Sequence, residues 1–207
     1  MGQGEQELEI TTAMIKELRQ ETGAGVLDCR DALEACNGDF EEAVASLREK
    51  GLAEVAKRSD REASEGLIEA YVHPGNRVAV MLELNCETDF VARTAEFQTL
   101  AHDLALHIAF AAPRYFIRED VPAEVVENER AGFRAEVLEE GKPEHIVDRI
   151  VAGRIEKFYQ QACIMEQPFV KDEERTVEEL ISSAIAKLGE NVILRRFVRY
   201  ELGEEVA

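Results

Sequence analysis

The chain has 207 residues, 45% of them hydrophobic, with 43 acidic against 24 basic side chains and a formal net charge of −19. That length allows one large domain or two small ones, and no apolar run approaches the roughly 18 residues of a membrane span. So negative a chain repels phosphate backbones from any surface that is not locally basic, which disfavours direct binding to DNA or RNA.

Taken in order, Met1-Gly2 is followed by Gln6, where a myristoylation signal needs Ser or Thr, and no signal-peptide hydrophobic stretch follows. The expected location is the cytoplasm. The first fifty residues read as three short helices. Thr11 or Thr12 caps a helix carrying Met14, Ile15 and Leu18, and Thr22-Gly23-Ala24-Gly25 breaks it. A second helix runs from Val26 to Ala35 and stops at Asn37-Gly38. Asp39 with Glu42 opens a third by a capping-box pattern, with Val44 and Leu47 facing inward and Gly51 as its stop. Residues 1–51 are thus expected to form a three-helix module, and 52–65, with Lys57, Arg58 and Arg61, a charged, helix-prone linker.

Residues 66–207 read as an α+β core. Leu67 to His73 and Val78 to Leu84 are strands joined by the turn Pro74-Gly75-Asn76-Arg77. Helices are expected from Thr94 to Ala111, from Pro122 to Glu140 and from Glu144 to Gln161, with Pro122 at a first helical position and Gly141 as a stop. Thr176 and Glu179 make a further capping box for a helix ending at Leu188-Gly189, and Val192 to Leu202 reads as a closing strand. Strands, then helices, then a strand imply a small antiparallel sheet covered by helices.

One segment stands out. Asn85-Cys86-Glu87-Thr88-Asp89-Phe90-Val91 follows the alternating run 78–84 and precedes a helix whose apolar stripe is Phe97, Leu100, Ala101, Leu104 and Ile108. Asp89 and Phe90 therefore fall in a strand-to-helix connection, where binding residues are often displayed on a rigid scaffold. On the residues alone two readings stand: Phe90 caps the core, or it is presented to a partner.

Elements of enzyme chemistry are sparse. Cys29, Cys36, Cys86 and Cys163 form no Cys-x-x-Cys pair, and His102 and His107, five apart, do not share a helical face as metal ligands would. His73 and His145 are isolated, the glycines form no phosphate cradle, and Glu139-Glu140 and Asp172-Glu173-Glu174 read as solvated acidic faces. A hydrolase built on Cys86, Glu87 or Asp89 lacks a positioned base or oxyanion donor, whereas a non-catalytic helical adaptor, whose first module binds a peptide or ubiquitin-like partner, remains a reading to weigh.

Two separated motifs narrow the choice. Lys16-Glu17-Leu18-Arg19, Thr22-Gly23-Ala24-Gly25 and Asp28-Cys29-Arg30-Asp31-Ala32-Leu33 resemble the opening of the bacterial elongation factor Ts family. The 85–91 segment is similar to that family's central signature, and Gln167-Pro168-Phe169-Val170 and Arg196-Phe197 to its C-terminal pattern. The resemblance covers Ile10 to Gly203. It implies a ubiquitin-associated-like helical module at the N-terminus and guanine-nucleotide exchange on elongation factor Tu, with no cofactor, metal or bond-making chemistry of the chain's own. It further implies that Thr88, Asp89, Phe90 and Val91 press beside the GTPase's magnesium site while Arg19 and Val26 touch its nucleotide domain. Family members often carry Met where this chain has Val26 or Leu27. With one sheet, the chain resembles the family's short form, for which a homodimer would complete the partner surface.

Overall fold

The computed structural model describes residues 10–204; the reading of Met1 to Gln6 lies outside them. It is an α+β fold of eight α-helices and five strands among the described residues.

The first three helices are α1 (Thr12–Thr22), α2 (Val26–Ala35) and α3 (Phe40–Arg58). Thr11 Oγ1 accepts the Met14 N–H at 3.3 Å and Asp39 accepts that of Glu42 at 2.9 Å, each satisfying a donor left free in a first helical turn. Gly23 ends α1 at φ +70°, its N–H bonded to the Arg19 carbonyl. Leu18, Cys29, Ala32, Leu33, Cys36, Ala43, Val44 and Leu47 form the module's buried core, with Met14, Ile15 and Phe40 packed against it.

Gly51 does not end α3. The helix continues for seven more residues to Arg58 and is capped by Ser59, whose N–H bonds to the Val55 carbonyl at 2.9 Å. A glycine stops a helix only by entering the left-handed region, as Gly141 and Gly189 do at φ +70° and +77°. Gly51 keeps helical dihedrals, at a cost of about 1 kcal/mol relative to Ala.

The main sheet has the order β1-β2-β5, with β1 Glu65–Val72, β2 Val78–Cys86 and β5 Ile193–Glu201. Central β2 is the most buried strand: Val80, Leu82 and Leu84 face inward and Met81 outward, as the alternation requires. Gly75 and Asn76 supply the positive φ of the β1–β2 turn.

Packing divides the chain into two compact units. One comprises residues 10–67, 84–98 and 181–195, and the other 68–83, 99–180 and 196–204. In the second, α6 (Ala123–Glu139) and α7 (Glu144–Ala162) pack through Phe133, Val137, Val147, Val151 and Ile155. Arg154 bridges Glu136 and Glu140 at 2.7 and 2.6 Å across the same pair. The helix starts lie at Ala123 and Glu144, with Pro122 and Pro143 as their N-caps. The acidic run 172–174 belongs to β4 (Asp172–Thr176), which pairs antiparallel with β3 (Pro168–Phe169); Glu173 and Glu174 remain solvated on this hairpin.

His107, on α5 (Ala95–Ala111), is fully buried in the second unit. Its Nδ1 accepts the Val170 N–H at 3.3 Å, so Nε2 carries the proton and donates to Gln167 Oε1 at 2.8 Å. Gln167 in turn donates to the Gln161 carbonyl at 2.6 Å. Burial holds the imidazole neutral by pushing its pKa below the ordinary value.

Candidate functional site

The 85–91 segment folds differently from a plain connection. Asn85 and Cys86 complete β2, and Asp89–Ala92 form a four-residue helix, α4, capped by Thr88. Thr94 then caps α5, accepting the Phe97 N–H at 3.2 Å and donating to the Val91 carbonyl at 2.8 Å. Two caps within seven residues fold the chain back on itself. Phe90 sits on the outer side of the turn and is 79% exposed, so it does not cap the core. Val91 is half-buried and Ala92 buried, which roots the other side of α4.

So short a helix has no stability of its own. Its bonds from Ala92 N–H to the Thr88 carbonyl and from Arg93 N–H to the Asp89 carbonyl are both 3.3 Å long. Asp89 adds an ion pair to Arg93 at 2.6 Å, half-exposed and therefore of small worth.

What fixes the turn is a polar anchor from the loop between α8 (Val177–Leu188) and β5. Glu190 accepts the Glu87 N–H at 3.1 Å and the Thr88 N–H at 3.0 Å on one oxygen, and the Thr88 hydroxyl at 2.6 Å on the other. Glu87 Oε1 accepts the Asn191 N–H at 2.7 Å. Asn191, buried, donates through Nδ2 to the Arg61 carbonyl at 2.9 Å and the Ser59 carbonyl at 3.3 Å, tying in the end of α3. Bonds of this kind, with a charged acceptor, are among the stronger ones in proteins.

Cys86 is fully buried and its thiol donates to the Thr88 carbonyl at 3.2 Å. Burial first, and then the charge of Glu190, push its pKa up to about 11, so almost no thiolate exists at neutral pH. Glu87 accepts the Asn191 N–H, and among the described residues Asp89 is held only by its exposed pair with Arg93.

Of the residues expected from sequence, Thr88, Asp89, Phe90 and Val91 are brought together on one capped turn. Arg19 and Val26 lie elsewhere, on the three-helix module. Arg19 is exposed in the last turn of α1, and Val26 is half-exposed at the start of α2 beside the exposed Leu27. No hydrogen bond or ion pair among the described residues joins either to the 88–91 turn. Sequence reasoning missed Glu190 and Asn191. The only local signal is a polar pair placed directly after the helix-ending Gly189.

Comparison with known proteins decides the family. The elongation factor Ts family model matches residues 9–204. The chain belongs to the elongation factor Ts family. It is 55% identical over 197 residues to elongation factor Ts of Moorella thermoacetica, covering 95% of this chain and 97% of that protein. It is 55% identical over 198 residues to elongation factor Ts of Carboxydothermus hydrogenoformans, and 54% identical over 198 to that of Heliobacterium modesticaldum. Each of these alignments covers 96% of this chain, with 91% and 92% of the respective relatives. Membership in the elongation factor Ts family places the chain among the elongation factors of protein biosynthesis. Among the described residues no helix is long and apolar enough to cross a membrane.

Proposed function

We propose that this chain is a guanine-nucleotide exchange factor that promotes GDP release from elongation factor Tu, with the 88–91 turn as its wedge. The observation that carries the reading is Phe90: a large apolar side chain, 79% exposed, presented on a turn whose base is buried and hydrogen-bonded. Such a group gains free energy when it finds an apolar pocket on a partner.

Exchange requires no bond chemistry, so the proposed reaction needs no metal, cofactor or catalytic base from the chain itself. The chain must bind the nucleotide-free GTPase better than the loaded one, and it then weakens nucleotide binding by the same factor. A shift of about 10⁴ needs roughly 5.5 kcal/mol of differential binding. Burying Phe90 supplies about 1.5–3 kcal/mol of that, and the remainder falls to a broader interface. Asp89 disturbs the polar network around the partner's magnesium, Thr88 fixes the turn, and Val91 braces it from below.

Residues 1–51 act as the docking module through Arg19 and Val26. Residues 52–65 link it to the 66–207 core, which carries exchange and self-association. The chain works in the cytoplasm and does not contact nucleic acid, whose phosphates its net charge of −19 repels.

A second copy is the proposed occupant of the sheet's outer face. Ile68, Val72, Met81, Val198 and Tyr200 are each 40% or more exposed. The Arg196–Glu83 ion pair at 2.7 Å sets β2 and β5 side chains of this parity on one side. An apolar sheet face of this kind is suited to two-fold pairing with itself.

The exchange reading is tested by release of a fluorescent GDP analogue from elongation factor Tu with substoichiometric amounts of the chain. Multiple-turnover acceleration is the expected result. Binding without acceleration would favour an adaptor instead.

A further inference from the structure

The wedge turn lacks the means to hold its own shape. It has four helical residues, two bonds of 3.3 Å along its backbone, and an exposed ring that must keep its orientation while pushed against a partner. We infer that Glu190 is the positioning residue of the exchange reaction: it touches neither nucleotide nor partner, and acts by fixing Thr88 and, through Thr88, Phe90. This rests on the wedge reading above.

The geometry gives the chain of cause. The Thr88 hydroxyl has one proton, and at 2.6 Å from Glu190 Oε1 that proton is committed to the carboxylate. Its lone pairs are then left to accept the Val91 N–H at 3.4 Å, which is the cap that starts α4. The other carboxylate oxygen takes the N–H groups of Glu87 and Thr88, which fixes the two peptide planes leading into the helix. Without the carboxylate the hydroxyl rotates freely, the cap is lost part of the time, and the Phe90 ring samples several directions. A wedge so loosened spends binding free energy on ordering itself before it can act on the partner. Asn191 reinforces the arrangement by joining Glu87 to the carbonyls of Ser59 and Arg61.

The test is a double-mutant cycle between Glu190→Ala and Phe90→Ala, read as the maximal rate of fluorescent GDP release from elongation factor Tu at saturating factor. Glu190→Ala is expected to lower that rate by about tenfold, Glu190→Gln by less, because its one remaining carbonyl oxygen still accepts a bond. In the Phe90→Ala background Glu190→Ala should change the rate by less than about twofold, since a clamp on an absent wedge has nothing to position. Thermal melts establish that each variant is folded, and Glu190→Gln carries the same cycle should the alanine variant unfold. Losses that multiply in full, or a normal rate for the Glu190 variants beside a slow Phe90→Ala, would overturn the role of Glu190 alone. A normal rate for folded Phe90→Ala would overturn the wedge and, with it, this inference.

Discussion

A Cβ placed on Gly66 would lie 2.1 Å from the Leu84 carbonyl oxygen and 2.8 Å from the Asn85 Cα. The two strands therefore approach more closely than any side chain allows, at the point where β2 leads into the 88–91 turn. Gly66 also has φ +147°, a region in which L-residues are strained. Asn85 Nδ2 donates to the Glu65 carbonyl at 3.1 Å beside it, so the spacing is fixed from both sides. Gly66→Ala is expected to destabilise the fold by roughly 1–3 kcal/mol or more, strain and backbone displacement acting together. Chemical denaturation checks this; an unchanged midpoint would show that the close approach is not required.

His107 gives the second expectation. Its folded pKa is below the ordinary 6.5 because the ring is buried, and its Nδ1 already accepts the Val170 N–H. Protonation would set two donors against each other. A depressed histidine pKa means that the unfolded state binds the proton more readily. The contribution is therefore fully present above about pH 6.5 and is lost as pH falls towards the lowered folded value, by at most about 1.4 kcal/mol per pH unit. Denaturation midpoints taken between about pH 7.5 and pH 5 should fall more steeply for the native chain than for His107→Gln. Parallel pH profiles would remove His107 as the cause.

Self-association through the sheet face has a direct probe. Met81→Glu places a charge on the central strand of the exposed apolar patch, and in the proposed pairing of two copies it would bring like charges together, which repel. Sedimentation equilibrium should give twice the chain mass for the native protein and the single-chain mass for the variant. Equal masses for both would move the interface elsewhere.

Arg19→Ala should act on docking rather than on the turn. Arg19 is exposed, and its role in the fold comes from its backbone carbonyl, which accepts the Gly23 N–H at 2.9 Å and survives the substitution. The concentration for half-maximal exchange is expected to rise by about fivefold or more, with the maximal rate and melting temperature nearly unchanged. A lowered melting temperature with unaltered half-saturation would assign Arg19 to the fold instead.

Much of this architecture was legible because its signals are local. Thr11, Gly23 and Asp39 cap helices through bonds spanning three or four residues, and the alternation of 78–84 gave the inner face of β2 directly. Gly51 misled because a glycine permits a stop without requiring one. Strands β3 and β4 are short, and β4 is mostly polar, so neither has a period to read. The 88–91 turn was recognisable as a motif, but α4 was hidden because four residues are little more than one helical turn. Glu190 and Asn191 could not be found by local reasoning: they meet Thr88 and Glu87 from 102 to 104 residues away along the chain.

The central claim rests on Phe90, and one rate tests it most directly. Release of a fluorescent GDP analogue from elongation factor Tu should be at least about tenfold slower with Phe90→Ala than with the native chain at equal complex occupancy, if the proposed burial of the ring on the partner is what opposes nucleotide. The ring is too exposed for its loss to unfold the chain, so the melting temperature should hold. Unchanged release by a folded, fully bound Phe90→Ala protein would contradict the wedge.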